Sequence, residues 1–69
     1  MNVNDMVCMW FETSARTAED MAAKAARAYN GLIHRDTTYA RGISAIADAH
    51  HAAAKVYREH LEHWKTRVL

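Results

Sequence analysis

The chain has no proline, only two glycines and a single cysteine in 69 residues. Each shortage excludes something. Proline is the strongest helix breaker, so its absence leaves long helices uninterrupted. Glycine at only 31 and 42 leaves few places for turns that need a positive φ. Cys8 has no second cysteine to pair with, and no Cys/His zinc spacing is present. Small domains commonly rely on one of those staples, and a core of this size supplies only about 3–5 kcal/mol without one. Charge of one sign is also missing. Nine basic and eight acidic side chains interleave to a formal net charge of +1. That balance fits neither an acidic nucleic-acid mimic nor a strongly basic nucleic-acid binder. The longest apolar run, Met6 to Phe11, has six residues, far short of the roughly 20 needed to span a bilayer. Asp5 and Glu12 flank that run and no basic region precedes it, so it does not read as a secretory signal. A lone free thiol suits a reducing compartment, and the expected location is the cytoplasm.

Alanine is abundant, at 14 of the 69 residues, and it has the highest helix propensity of all. Two ladders of one spacing organise the rest. The first is Val3, Val7, Trp10, Ser14, Thr17, Met21, Ala25, Ala28 and Leu32. The second is Tyr39, Ile43, Ile46, His50, Ala53, Tyr57, Leu61, Trp64 and Val68. Steps of 4 and 3 mark one face of a long α-helix. β-branched residues never alternate over a strand's length, so no sheet is expected. Asn30-Gly31 reads as a stop, with Gly31 in the left-handed conformation and Leu32 packing back on the last turn. Asp36, Thr37 and Thr38 offer N-cap oxygens for a second helix. The expected domain is therefore single, with a helix over about 4–30, a turn over about 31–36 and a helix over about 37–67. Gly42 would lie inside the second helix, where it could allow a close backbone approach. An alternative break near Thr13–Thr17, where Thr17 and Asp20 resemble a capping box, would give three helices.

Two helices of roughly 44 Å joined by a short turn make an all-α antiparallel hairpin. The ladders would then meet, Leu32 against Tyr39 near the turn and Val3 against Val68 at the open end. Such a hairpin cannot cover its own apolar faces, so it is expected to homodimerise into a four-helix arrangement. A second stripe of small residues on the second helix, Ala45, Ala49, Ala52 and Val56, supports that pairing. The residues expected in the core or dimer interface are Val7, Trp10, Met21, Ile43, Ile46, His50, Tyr57, Leu61 and Trp64. Ser14 and Tyr57 would face each other and could hydrogen bond.

No catalytic or cofactor motif is present. The chain has almost no loop to carry a site, and Ser14 and Ser44 lack a histidine–carboxylate constellation. No enzyme activity and no cofactor are expected. His60 and His63 lie three apart, but neither His-Glu-x-x-His nor the Glu-x-x-His of di-iron bundles occurs. No metal site is assigned, and a metal-responsive bundle remains an alternative. A helix-turn-helix needs a short turn between two short helices, and neither glycine sits in one. A small DNA-binding regulator is thus a further alternative, with nucleic acid disfavoured as a partner. The contact material is elsewhere. Met6, Met9 and Phe11 belong to a Met- and aromatic-rich run, and Ile33, Arg35 and Tyr39 gather at the turn. Met, aromatic and Arg side chains are adaptable anchors for protein partners. These six are the residues expected to bind another protein, such as a transcription regulator; the other expected partner is a second copy of the chain. In size and make-up the chain resembles the small helical proteins that phages and other mobile elements encode to inhibit host regulators. That resemblance implies an inhibitor that occludes a surface of its target, and it assigns no residue a role.

Overall fold

The computed structural model describes residues 1–67. Its elements are two α-helices, α1 (Val3–Asn30) and α2 (Thr38–Lys65), packed side by side as a hairpin whose Cα trace spans 53 × 16 × 12 Å. Val68, and with it the pairing of Val3 with Val68, lies outside the described residues.

Local chemistry sets the helix ends. Asn2 caps α1: its side-chain oxygen accepts from the Asp5 N–H at 2.8 Å, and Asp5 places a negative charge in the positive first turn. Thr37 caps α2 in the same way, its hydroxyl oxygen accepting from the Ala40 N–H at 3.0 Å. At the other end of α1 the stop is Gly31, but not through the left-handed conformation. Gly31 sits at φ −81°, ψ −6°, so its lack of a Cβ is not used for backbone freedom. The last turn tightens instead, with the Leu32 N–H donating to the Tyr29 carbonyl at 3.1 Å. The Arg35 guanidinium donates to the Asn30 carbonyl at 2.9 Å, satisfying an acceptor that the helix leaves open.

α1 runs unbroken past Thr13–Thr17. The Thr17 hydroxyl donates back to the Thr13 carbonyl at 3.0 Å, so it is satisfied inside the helix and leaves the backbone N–H groups to the helical ladder. Gly42 is equally ordinary. A Cβ there would meet nothing within 4 Å, so no close backbone approach depends on it.

The helices do not meet squarely along the expected ladders, although Ala25 and Leu61 belong to both ladder and seam. The seam on α1 is mostly the series one residue further on, Cys8, Phe11, Ala15, Ala18, Ala22 and Tyr29, joined by Ala25 of the ladder itself. Ala15 and Ala18 are buried there and the others half-buried. On α2 the seam follows Ala40, Ala47, Ala54 and Leu61, a strict seven-residue repeat, of which Ala40, Ala54 and Leu61 are buried and Ala47 half-buried. One residue turns a helix by about 100°, so α1 is rotated by that much from the orientation its ladder suggested. The cause is size. Alanine methyls let two backbones approach closely, whereas a seam of Trp10, Met21 and Ile46 would hold the axes apart. Among the described residues four of the five buried apolar ones are alanines, and Leu61 is the largest fully buried side chain. Cys8 packs at the seam as a small apolar residue.

Candidate functional site

With the seam built from alanine, the larger apolar side chains of the ladders are left beside it. The two helices run antiparallel, so an equal rotation of each ladder away from the seam carries both to one flank of the hairpin. That flank carries Val3, Trp10, Met21 and Ile46 in solvent, with Trp10 57% and Ile46 50% exposed. Ile43, His50, Tyr57 and Trp64 stand half-buried along its inner edge. Thr13, Ser14, Thr17, Met21, His50, Ala53 and Tyr57 line a shallow open groove of about 320 Å³ at its centre. No Asp, Glu, Lys or Arg occupies a ladder position on either helix.

The residues expected in the core or dimer interface therefore divide. Leu61 is in the core. Val7, Ile43, His50, Tyr57 and Trp64 border it, half-buried. Trp10, Met21 and Ile46 are not part of the hairpin's own core, because the alanine seam excludes them. Ser14 and Tyr57 do line one groove. The side-chain hydrogen bonds that cross between the helices among the described residues come instead from Arg58.

Aromatic contacts fix the open end of this flank. Trp10 packs edge-on against Phe11 at 5.2 Å and against Tyr57 at 5.8 Å, and Phe11 stacks on His60 at 5.3 Å. These separations suit favourable aromatic pairs. Phe11 is thus an internal residue of the seam, half-buried, and not an exposed partner contact. Met6 and Met9 are exposed, and with Met1, Trp10 and Thr13 they line a second, more apolar depression. At the opposite end of the hairpin Ile33 is 93% exposed and Tyr39 70%. Arg35 there is committed to the Asn30 carbonyl and lies over the Tyr29 ring at 5.7 Å. The expected partner-binding residues accordingly fall at the two ends of the molecule, Met6 and Met9 together at one and Ile33 and Tyr39, each exposed, at the other.

The other flank of the seam is polar, and the sequence reading missed its organising residue. Arg58 reaches from α2 to two carboxylates on α1, donating to Glu12 at 2.8 Å and to Glu19 at 2.7 and 3.2 Å. Glu12 also accepts from Arg16 at 2.9 Å, four residues on along the same helix. The hydrogen bond from Arg58 holds the Glu19 carboxyl below its ordinary value of 4.5, and the Glu19 carboxylate in turn raises the Arg58 guanidinium. The signal was a spacing: Glu12 and Glu19 are seven apart and so share a face. Pairing it with position 58 required knowing the rotation of the helices.

His60 is occupied by Phe11, and His63 lies edge-on to Trp64 at 6.2 Å. Among the described residues no three His, Cys, Asp or Glu side chains converge to hold a metal ion, and no helix is long and apolar enough to cross a membrane. No family model, curated protein or solved structure matches the chain.

Proposed function

We propose that the chain is a non-catalytic, cytoplasmic protein-binding module that works as a homodimer of four-helix form and occludes a surface of another protein, such as a transcription regulator. One observation carries this reading: apart from Leu61 and the half-buried aromatics, the hairpin leaves many of its large apolar side chains outside its own core. Met6, Met9 and Trp10 at one end and Ile33 and Tyr39 at the other stand in solvent, while alanine fills the seam. Burial of such side chains is worth about 1.5–3 kcal/mol each, and a lone hairpin forgoes most of it. Methionine and aromatic residues are also the types that anchor protein contacts. The phage and mobile-element inhibitors that the chain resembles supply the expected direction of action, which is inhibition by covering a surface.

The test is capture followed by reconstitution. The tagged protein should retain a discrete protein from a lysate of the cells that carry it. That protein, once purified, should form a complex of fixed stoichiometry with the wild type. Met9→Asp, which places a charge in the methionine patch without touching the seam, should weaken the complex at least about tenfold, a loss of about 1.4 kcal/mol. Failure to reconstitute any complex, or a shift of duplex DNA at low salt in its place, would overturn the reading.

A further inference from the structure

We infer that the uncharged flank formed by the two ladders is the contact face for a second copy of this chain, the two hairpins joined face to face. The inference rests on the homodimer reading above and assigns that dimer its surface.

The first support is area. A compact folded protein of 7.8 kDa exposes about 4,400 Å² by the usual size scaling. This chain exposes 5245 Å². The excess, about 850 Å², follows from the thin 53 × 16 × 12 Å shape, and pairing with a copy that covers roughly 800 Å² per partner, an interface of standard size, would return the exposure to the compact value.

Charge is the second. A quarter of the chain is charged, with nine basic and eight acidic side chains, and none of these falls on a ladder position. Lys24, seven residues after Thr17, stands hydrated at the rim of this face, and the ladder positions themselves offer little counter-charge to a nucleic acid, an anionic membrane or a charged peptide. Its own copy presents the same lack of charge, so no ion has to be stripped of water for the two to meet.

Relief is the third. Trp10, Met21 and Ile46 stand proud, while Ser14, Thr17 and Ala53 leave the groove between the helices shallow and open. Raised and recessed parts on one face are what a two-fold contact requires, since each residue i meets a residue j whose copy meets i. The competing stripe, Ala45, Ala49, Ala52 and Val56, lies on the outer side of α2. It is one helix wide, presents mainly methyl groups, and borders Asp48 and Glu59.

Light scattering at micromolar concentration should return twice 7.8 kDa for the wild type. Ile46→Glu and Met21→Glu should each raise the dimer dissociation constant by about 100-fold or more, because each would bury an unpaired charge. Ala49→Glu should leave it within a few-fold of wild type. Trp10 gives a readout that needs no disruptive change. In a Trp64→Phe background its emission should shift to the blue, and iodide should quench it less, as the protein is concentrated. A wild type of 7.8 kDa throughout would overturn both the homodimer and this assignment. A dimer that Ala49→Glu separates while Ile46→Glu and Met21→Glu do not would overturn the assignment alone. So would a dimer in which Trp10 emission is independent of concentration.

Discussion

The two flanks of the seam are built from the same helices and solve opposite problems. One carries Arg58 between Glu12 and Glu19, three charged groups whose side chains remain 32–46% exposed. The other carries Trp10, Met21 and Ile46 in solvent with no charge among the ladder positions. The polar flank is complete as it stands, because every charge in the cluster has its partner and the rest is hydrated. The apolar flank is unfinished, since water is the least favourable neighbour its side chains can have. The difference teaches which contacts close the hairpin. The alanine seam and Leu61 hold the helices together, Arg58 fixes one edge, and the large apolar residues contribute little until something covers them.

That contrast can be broken most sharply at Leu61. Leu61→Ala removes the one large, fully buried side chain among the described residues, and such truncations cost about 2–5 kcal/mol. Against a core of this size the helical signal should be largely lost at 25 °C, while Met21→Ala on the open flank should leave it standing at low protein concentration. Circular dichroism of the two variants, compared at one concentration, decides between seam and flank. Equal losses would mean that the flank shares the closing of the hairpin.

Overfilling the seam should come next. Ala15 has no exposed surface, and Ala15→Leu forces extra methylenes between close backbones at a cost of about 1–3 kcal/mol. The melting temperature should fall by about 4–8 °C for each kcal/mol in a domain of this length. The neighbouring change Ser14→Leu, on the open flank, should lower it far less.

Gly42 gives a smaller effect of the opposite sign. It lies in α2 with open space around its missing Cβ, so Gly42→Ala should stabilise the hairpin by up to about 1 kcal/mol. A thermal melt that is unchanged or lower would show that the position is constrained by something outside the hairpin.

The smallest effect belongs to the polar flank. Arg58 holds the Glu19 carboxyl below 4.5. The folded state therefore binds that proton less readily than the unfolded chain does. The resulting stabilisation is complete above about pH 4.5 and is lost as pH falls through the lowered value. The gap in melting temperature between wild type and Glu19→Gln should be constant from neutral pH down to that point and close below it. The groups are solvent-exposed, so the gap should be small and should shrink further in high salt. A gap that widens in acid would reverse the sign assigned to the pair.

Much of the architecture could be read from residue order. Thr37 and the Asn30-Gly31 stop are local signals, and local hydrogen bonds realise them within a few residues of chain. The period of the apolar residues was also legible, because it reports helix geometry alone. The rotation of each helix was not. Two stripes of equal period run along α1, one through Val3, Val7, Trp10 and Met21 and one through Cys8, Phe11, Ala15 and Ala22. Hydrophobicity favours the first, since alanine scores low on any scale of apolar bulk. Close packing favours the second. The same ambiguity hid the role of Phe11, which reads as an exposed anchor and stacks internally on His60. It hid Arg58 as well, whose partners lie 39 and 46 residues away.

The sequence by itself determined that this protein is helical, within about two residues where its helices start and stop (α2 ends at Lys65, short of the expected 67), and that they turn back on each other. Those properties follow from propensity, capping and period, each acting within a few residues. Only the tertiary structure decided which stripe faces inward. That choice depends on how near two backbones can come, a property of both helices at once. By giving most inward positions to alanine, the fold left Trp10, Met21 and Ile46 facing out.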